Sequence, residues 1–259
     1  MRLAALGNAV IRASLVLALG GTGSSCKRDP ARRYLAQGDN LLRAQQYTQA
    51  AEHYRRAAEA RPNDAMLWER NAFALMHSGQ TDAAAEALLR TRDLKQDTAS
   101  RAEVLRNVAA MYLDTQDLPK AEQYLLEAVK LEPGDTASLM WLGEIESVRG
   151  GARSAKQEPK ADSLEQAIAY YDRVLAAEPD SLHATVNQRI AVLKLIRYER
   201  ERQQMELQVL DLVREPTRRK EARERMAEHA QSLEELEDRS LALRDRITAL
   251  KQQGKTLSH

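Results

Sequence analysis

The sequence predicts an all-α protein, and three observations carry that prediction. Ala, Leu, Glu, Gln and Arg, the strong helix formers, dominate the composition. Long Val, Ile or Thr alternations bounded by turn residues are missing, so nothing argues for a sheet. Small and large apolar residues also recur with a period of about 34 residues, the mark of a repeated supersecondary unit. At 259 residues the chain holds one large domain or two small ones.

The N-terminal segment reads as an address rather than as structure. Arg2 and Arg12 bracket a short basic region, and an apolar run over 13–19 follows. That run is far below the ~20 residues that cross a bilayer, but it suits the core of a signal peptide. Small residues over 20–25 then lead to Cys26, the chain's single cysteine. The ending Ser24-Ser25-Cys26 resembles the lipobox of bacterial lipoproteins, with Gly23 where an aliphatic residue is usual. The resemblance implies a signal peptide over 1–25, acylation of Cys26 and a polar tether over 26–30. An ordinary signal peptide cut near Ser25, giving a soluble periplasmic protein, is the alternative. Two or three acyl chains anchor stably where one is marginal.

Three units follow at 31–64, 65–98 and 102–135. The first carries Tyr34, Gly38, Leu41, Tyr47, Ala50, Tyr54, Ala57 and Pro62. The second carries Trp68, Ala72, Leu75, Gly79, Ala84 and Leu88. The third, after an insertion at 99–101, carries Leu105, Ala109, Tyr112, Ala121, Leu125, Ala128 and Pro133. A fourth unit, 136–181, has Leu139, Leu142 and Gly143 in its first half and Ala167, Tyr171 and Pro179 in its second. A polar, Gly- and Pro-containing insertion over 150–163 divides it and reads as a flexible loop. Ser163 to Gln166 reads as a capping box that restarts the helix. Pro62 and Pro133 stop helices because proline cannot continue the hydrogen-bond ladder.

These positions resemble the tetratricopeptide repeat (TPR), in which each unit is a helix, a tight turn and a second antiparallel helix. The resemblance implies a TPR superhelix, an α-solenoid of antiparallel helix pairs, over 31–181. It also implies that the first helices line a concave, partner-binding groove. On this sequence those residues are Leu35 and Asp39 in unit one, and Met66, Glu69, Phe73, Met76 and His77 in unit two. Arg106 and Leu113 follow in unit three, and Met140 and Glu144 in unit four. The middle is apolar and methionine-rich, which suits adaptable packing against a helix or an extended peptide. Family members that bind chaperone C-termini carry a Lys and an Asn where this chain has Leu35 and Asp39, so that specificity is not expected.

Residues 182–259 break the period. They predict a long C-terminal helical hairpin or coiled-coil tail, with one helix over 182–213, a break at Glu215-Pro216-Thr217 and a second helix over 218–252. The second helix places Met226, Leu233, Leu236, Leu243, Ile247 and Leu250 at heptad spacing, with His229 and Ser240 weakening the seam. Packing back on the repeats is the main reading of that seam. Self-association as a homo-oligomer is the rival.

Catalytic chemistry is not expected. The five histidines, 53, 77, 183, 229 and 259, are not at metal-ligand spacing, and one cysteine builds no zinc site, so neither a metal nor a cofactor is expected. Gly-rich phosphate loops and nucleophile elbows are missing. The formal charge is +1, and a chain starting at Cys26 carries 37 basic and 38 acidic residues, so no nucleic-acid-binding field exists. The basic stretch 214–225 contains Glu215, Glu221 and Glu224 and lacks an aromatic residue for base stacking. The expectation is a non-enzymatic interaction scaffold for protein or peptide partners, exported and lipid-anchored in the bacterial cell envelope, facing the periplasm. A structural oligomer is the alternative.

Overall fold

The computed structural model describes residues 29–151 and 160–254. Among these residues the structure is helical, with no strand. Ten helices follow in order: α1 (Pro30–Arg43), α2 (Tyr47–Ala60), α3 (Ala65–His77), α4 (Thr81–Leu94), α5 (Thr98–Asp114), α6 (Leu118–Leu131), α7 (Thr136–Gly151), α8 (Ala161–Ala177), α9 (Leu182–Leu212) and α10 (Pro216–Gln252). They form two compact units, Met1–Asp135 with α1–α6 and Thr136–His259 with α7–α10. The boundary expected at residue 181 therefore lies inside the second unit. The segment expected to be a signal peptide, Cys26 and the expected tether up to residue 28 lie outside the described residues.

In the first unit each helix packs on the next in sequence. Small residues make this possible: Ala50, Ala57, Ala84, Ala121 and Ala128 are fully buried. Gly38 faces the Tyr54 ring so closely that an added Cβ would sit 2.7 Å from Cε1. Polar groups stitch the layers as well. Asn71 is buried and donates its side-chain amide to the Ala51 carbonyl at 2.7 Å. Trp68 Nε1 donates to the Pro62 carbonyl at 2.9 Å, pinning the turn between repeats.

The turns inside the first three repeats share one backbone solution. Gln45, Gly79 and Gln116, at equivalent positions, all have positive φ, of 56°, 76° and 62°. The next residue's amide then reaches back to a helix carbonyl: Gln46 to Leu41, Gln80 to Leu75 and Asp117 to Tyr112, at 2.8–2.9 Å. This left-handed closure satisfies carbonyls that a helix end leaves unpaired. Glycine is the natural occupant; the two glutamines accept a cost of ~1–2 kcal/mol there.

Three expectations shift at the boundaries. The insertion 99–101 is an extra turn on α5, which starts at Thr98 with Asp97 accepting from the Ser100 amide at 2.7 Å. Gly150 and Gly151 are the end of α7 rather than loop, and α8 starts at Ala161, so the 150–163 loop contracts from both sides. Its centre, 152–159, is outside the described residues. Ser163 is buried within α8 and is not an N-cap, because the helix has already begun two residues earlier. Gly150 is kept small by Leu164, whose Cγ would lie 2.6 Å from an added Cβ.

In the second unit α9 and α10 form an antiparallel hairpin. Pro216 opens α10 at N1, where its missing N–H costs nothing, so the helix begins there rather than at 218. Leu233 and Leu243 of α10 join Val192, Leu195 and Ile196 of α9 and Leu164, Ile168 and Tyr171 of α8 in one core, with Leu236 packed against it. Arg239 donates to both Asp172 carboxylate oxygens on α8, at 2.8 and 2.7 Å. His229, expected to weaken the seam, instead places Nδ1 2.7 Å from Glu199 Oε2. Leu233, Leu236 and Leu243 of the heptad set are thus engaged inside the chain, Leu250 is buried, and Met226 and Ile247 are half-buried.

Candidate functional site

In the first unit α3 supplies the candidate surface. Leu67, Asn71, Ala72 and Ala74 turn inward and are buried. Met66, Glu69, Phe73, Met76 and His77 consequently share the opposite face, because spacings of three, four and seven repeat the helical turn. Met66 is 45% exposed, Glu69 and His77 are exposed, and Phe73 and Met76 are half-buried. Met66 also borders a shallow depression of about 560 Å³ lined by residues 61–66.

The aromatic residues on this face touch one another. Phe73 lies 4.3 Å from His77, centroid to centroid, and His77 stacks on Tyr47 of α2 at 5.0 Å and 23°. Tyr47 was absent from the expected set, since a second-helix residue is not assigned to the groove by repeat position. The structure brings it there because α2 begins where α3 ends.

Of the charged candidates in the first unit, Asp39 and Arg106 are already engaged, while Glu69 is exposed. Asp39 accepts the Tyr54 hydroxyl at 2.8 Å and is ion-paired with Arg70, a residue of the α3 face that sequence reasoning also missed. Burial and the Asp39 carboxylate both push the Tyr54 phenol up, so it stays a neutral donor. Arg106 Nη1 donates to both oxygens of Asp135, at 2.8 and 2.7 Å. Leu35 is half-buried and packs on two core clusters, α1–α2–α3 contacts that make it partly structural. Leu113 is half-buried. Arg70 and Arg106 are thus neutralised within the unit, and Glu69 stays exposed among the apolar side chains of the α3 face.

In the second unit Met140 packs against the α8–α9–α10 core. Glu144 accepts from the Asn187 amide at 3.1 Å and stands 3.7 Å from His183 Nε2, both on α9. Its carboxyl is pushed up, chiefly by burial, against the lowering effect of Asn187. Lys194 of α9 donates to the carbonyl and the hydroxyl of Ser147, at 2.8 and 2.9 Å, and burial pulls its ammonium down. The start of α9 therefore stands where a fifth first helix would. Its spacing in the sequence hinted at this, but no turn follows to mark it.

Among the described residues no group of three or more His, Cys, Asp or Glu could hold a metal ion. No described helix is long and apolar enough to cross a membrane.

Residues 35–99 and 72–136 match the family model of the tetratricopeptide repeat. The match covers α1–α6 and supports TPR units there. No curated protein matches the sequence. Similar solved structures include MamA, at 15% identity, covering 84% of this chain and 95% of that one, with a TM-score of 0.49. MamA 41-end from Desulfovibrio magneticus RS-1 is 17% identical, covering 81% and 96%, with a TM-score of 0.42. YrrB, described as a TPR protein with an unusual peptide-binding site, is 14% identical, covering 85% and 94%, with a TM-score of 0.44. At such identities nothing about binding passes from them to this chain.

Proposed function

We propose that the chain is a non-catalytic protein-interaction scaffold whose α3 face takes an apolar side of a partner helix or extended peptide. One observation carries the reading. Met66, Phe73 and Met76 share a reachable face with the Tyr47–His77 stack and the exposed Glu69, while the charge of Arg70 on the same helix is paired internally with Asp39. Soft, adaptable side chains with neutralised surroundings suit an apolar ligand better than a charged one. Truncation or charge at such a centre removes most of the binding energy of an interface.

Phe73→Asp with Met76→Asp is expected to abolish recovery of partners from the native cell envelope while leaving helical circular dichroism intact. Unchanged recovery discards the α3 face.

The scaffold's place is the second part of the proposal: export, cleavage before Cys26 and acylation of that cysteine, which tether the repeats to an envelope membrane. The Ser24-Ser25-Cys26 ending after an apolar run supports it. A fatty-acid analogue is expected to label the wild type and not Cys26→Ser. Equal labelling of both, or of neither, rejects lipidation there. Self-association through α10 is the weaker reading, since Leu233 and Leu243 are buried against α8 and α9.

A further inference from the structure

The far end of the α9–α10 hairpin is built differently from its base. Glu199 is the last buried residue of α9, and residues 201–212 contain none. Opposite them, α10 buries only Ala222 before Leu233. The thirteen residues after Glu199, up to Leu212, span about 20 Å of helix. Exposed large apolar side chains are densest at this end: Met205 is 57% exposed, Leu207 46%, Val209 42% and Leu212 82%, whereas Ile190 and Leu193 are the exposed pair nearer the base of α9. Singly scattered exposed apolar residues need no explanation, but four within 205–212, next to a basic turn, form a grouping that does.

Cations gather at the same end. Residues 214–223 contain Arg214, Arg218, Arg219, Lys220 and Arg223 against Glu215 and Glu221. Arg218 pairs with Glu215 at 3.2 Å and Lys220 with Glu224 at 3.7 Å, both in open solvent where such pairs are weak. Arg225 is held by Glu206 at 2.9 Å. Arg214, Arg219 and Arg223 have no carboxylate partner among the described residues. Asp211 is the remaining acid beside the turn.

We infer that the hairpin tip is a peripheral contact for an anionic phospholipid surface. Leu212 and its apolar neighbours enter the headgroup layer, and the unpaired arginines meet the phosphates. An apolar tip ringed by Lys and Arg is the combination that binds such surfaces, each part being too weak alone. A second copy of the chain is disfavoured because two tips would bring like charges together. Nucleic acid is disfavoured because the tip lacks an aromatic residue to stack on. The inference is independent of the α3 face and of Cys26.

The test uses the full chain with Cys26→Ser in every sample, so that acylation contributes nothing. Binding is read by flotation with phosphatidylcholine vesicles, with and without about 30 mol% phosphatidylglycerol. Anionic vesicles should capture the protein, and ~0.5 M salt should weaken the capture. Arg214→Gln, Arg219→Gln and Arg223→Gln together should lower partitioning by about fivefold per cation removed. Val209→Asp with Leu212→Asp should lower it at least as much, while Leu241→Asp, an exposed apolar position away from the tip, should not. Circular dichroism keeps loss of folding apart from loss of binding. Equal partitioning of tip variants and parent overturns the inference, as does equal capture by both vesicle types. So does a change in sedimentation of the tip variants without vesicles, which makes the tip an interface between copies.

Discussion

The first and third repeats solve one packing problem with opposite volumes. In the first, Gly38 of α1 faces the ring of Tyr54 of α2. At the equivalent positions of the third stand Ala109 of α5 and Leu125 of α6, both fully buried. The α7–α8 pair returns to the first solution, with an added Cβ at Gly143 falling 2.6 Å from Tyr171 Cε1. The α3–α4 pair has Ala72 and Leu88, the second solution. A glycine permits the large ring; an alanine goes with a smaller branched chain. The difference teaches that the repeat conserves the summed volume of a helix pair rather than either residue, as close-packed interiors require.

Removing the ring is the harshest way to break this arrangement. Tyr171→Ala should destabilise the second unit by about 3–5 kcal/mol, since a fully buried aromatic leaves a cavity beside a glycine that cannot fill it. A urea titration followed by circular dichroism measures the loss; a change below ~1 kcal/mol contradicts the packing argument.

Gly38→Ala should cost about 1–3 kcal/mol, because its Cβ meets a ring with no room to move. Adding Tyr54→Leu converts the pair to the alanine-and-leucine solution. The double variant should then be more stable than the sum of the single losses predicts, by about 1 kcal/mol or more. Strict additivity would falsify the volume exchange. Tyr54→Leu also removes the hydroxyl donated to Asp39, so rescue is expected to be incomplete.

A smaller effect tests a polar contact of the α7–α8–α9 unit. The folded state raises the Glu144 pKa above its unfolded value, mainly through burial. The fold therefore prefers the protonated form. The penalty is full above the raised value, shrinks as pH falls from it toward the unfolded value, and is gone below both. Glu144→Gln, which keeps the acceptor for Asn187, should raise the melting temperature at neutral pH and leave it unchanged in acid. An equal shift at both pH values contradicts burial as the cause.

Much of this was legible beforehand in particular residues. Gly38, Gly143 and the alanines at 50, 84 and 121 marked close helix contacts because only small side chains recur at those places in the period. Pro216 marked the hairpin bend because its ring tolerates the first turn of a helix and little else. The turn geometry was not legible: Gln45 and Gln116 carry no sign that their backbones are left-handed, since it is the helix pair around them that imposes it. Gly150 looked like loop and is core, because a glycine's local preference and its use for close approach to Leu164 cannot be told apart without the neighbour. For the α3 face, the helical spacing of Met66, Phe73 and Met76 was readable. Arg70, its pairing with Asp39 and the Tyr47–His77 stack were not.

What the sequence by itself determined was the local part of the protein: helices with their periodic apolar faces, their proline stops and a repeating pair of small and large residues. These follow from side-chain volume and backbone preference within a turn or two. Only the tertiary structure decided which charges cancel within the chain, and that Leu233, Leu236 and Leu243 of the α10 seam pack on α8 and α9. The reason is physical: burial and ion pairing depend on what stands opposite, 15 to 67 residues away in the hydrogen bonds of Asp39 and Asp172. A one-dimensional pattern states a side chain's capacity for contact, and the packing chooses the contact.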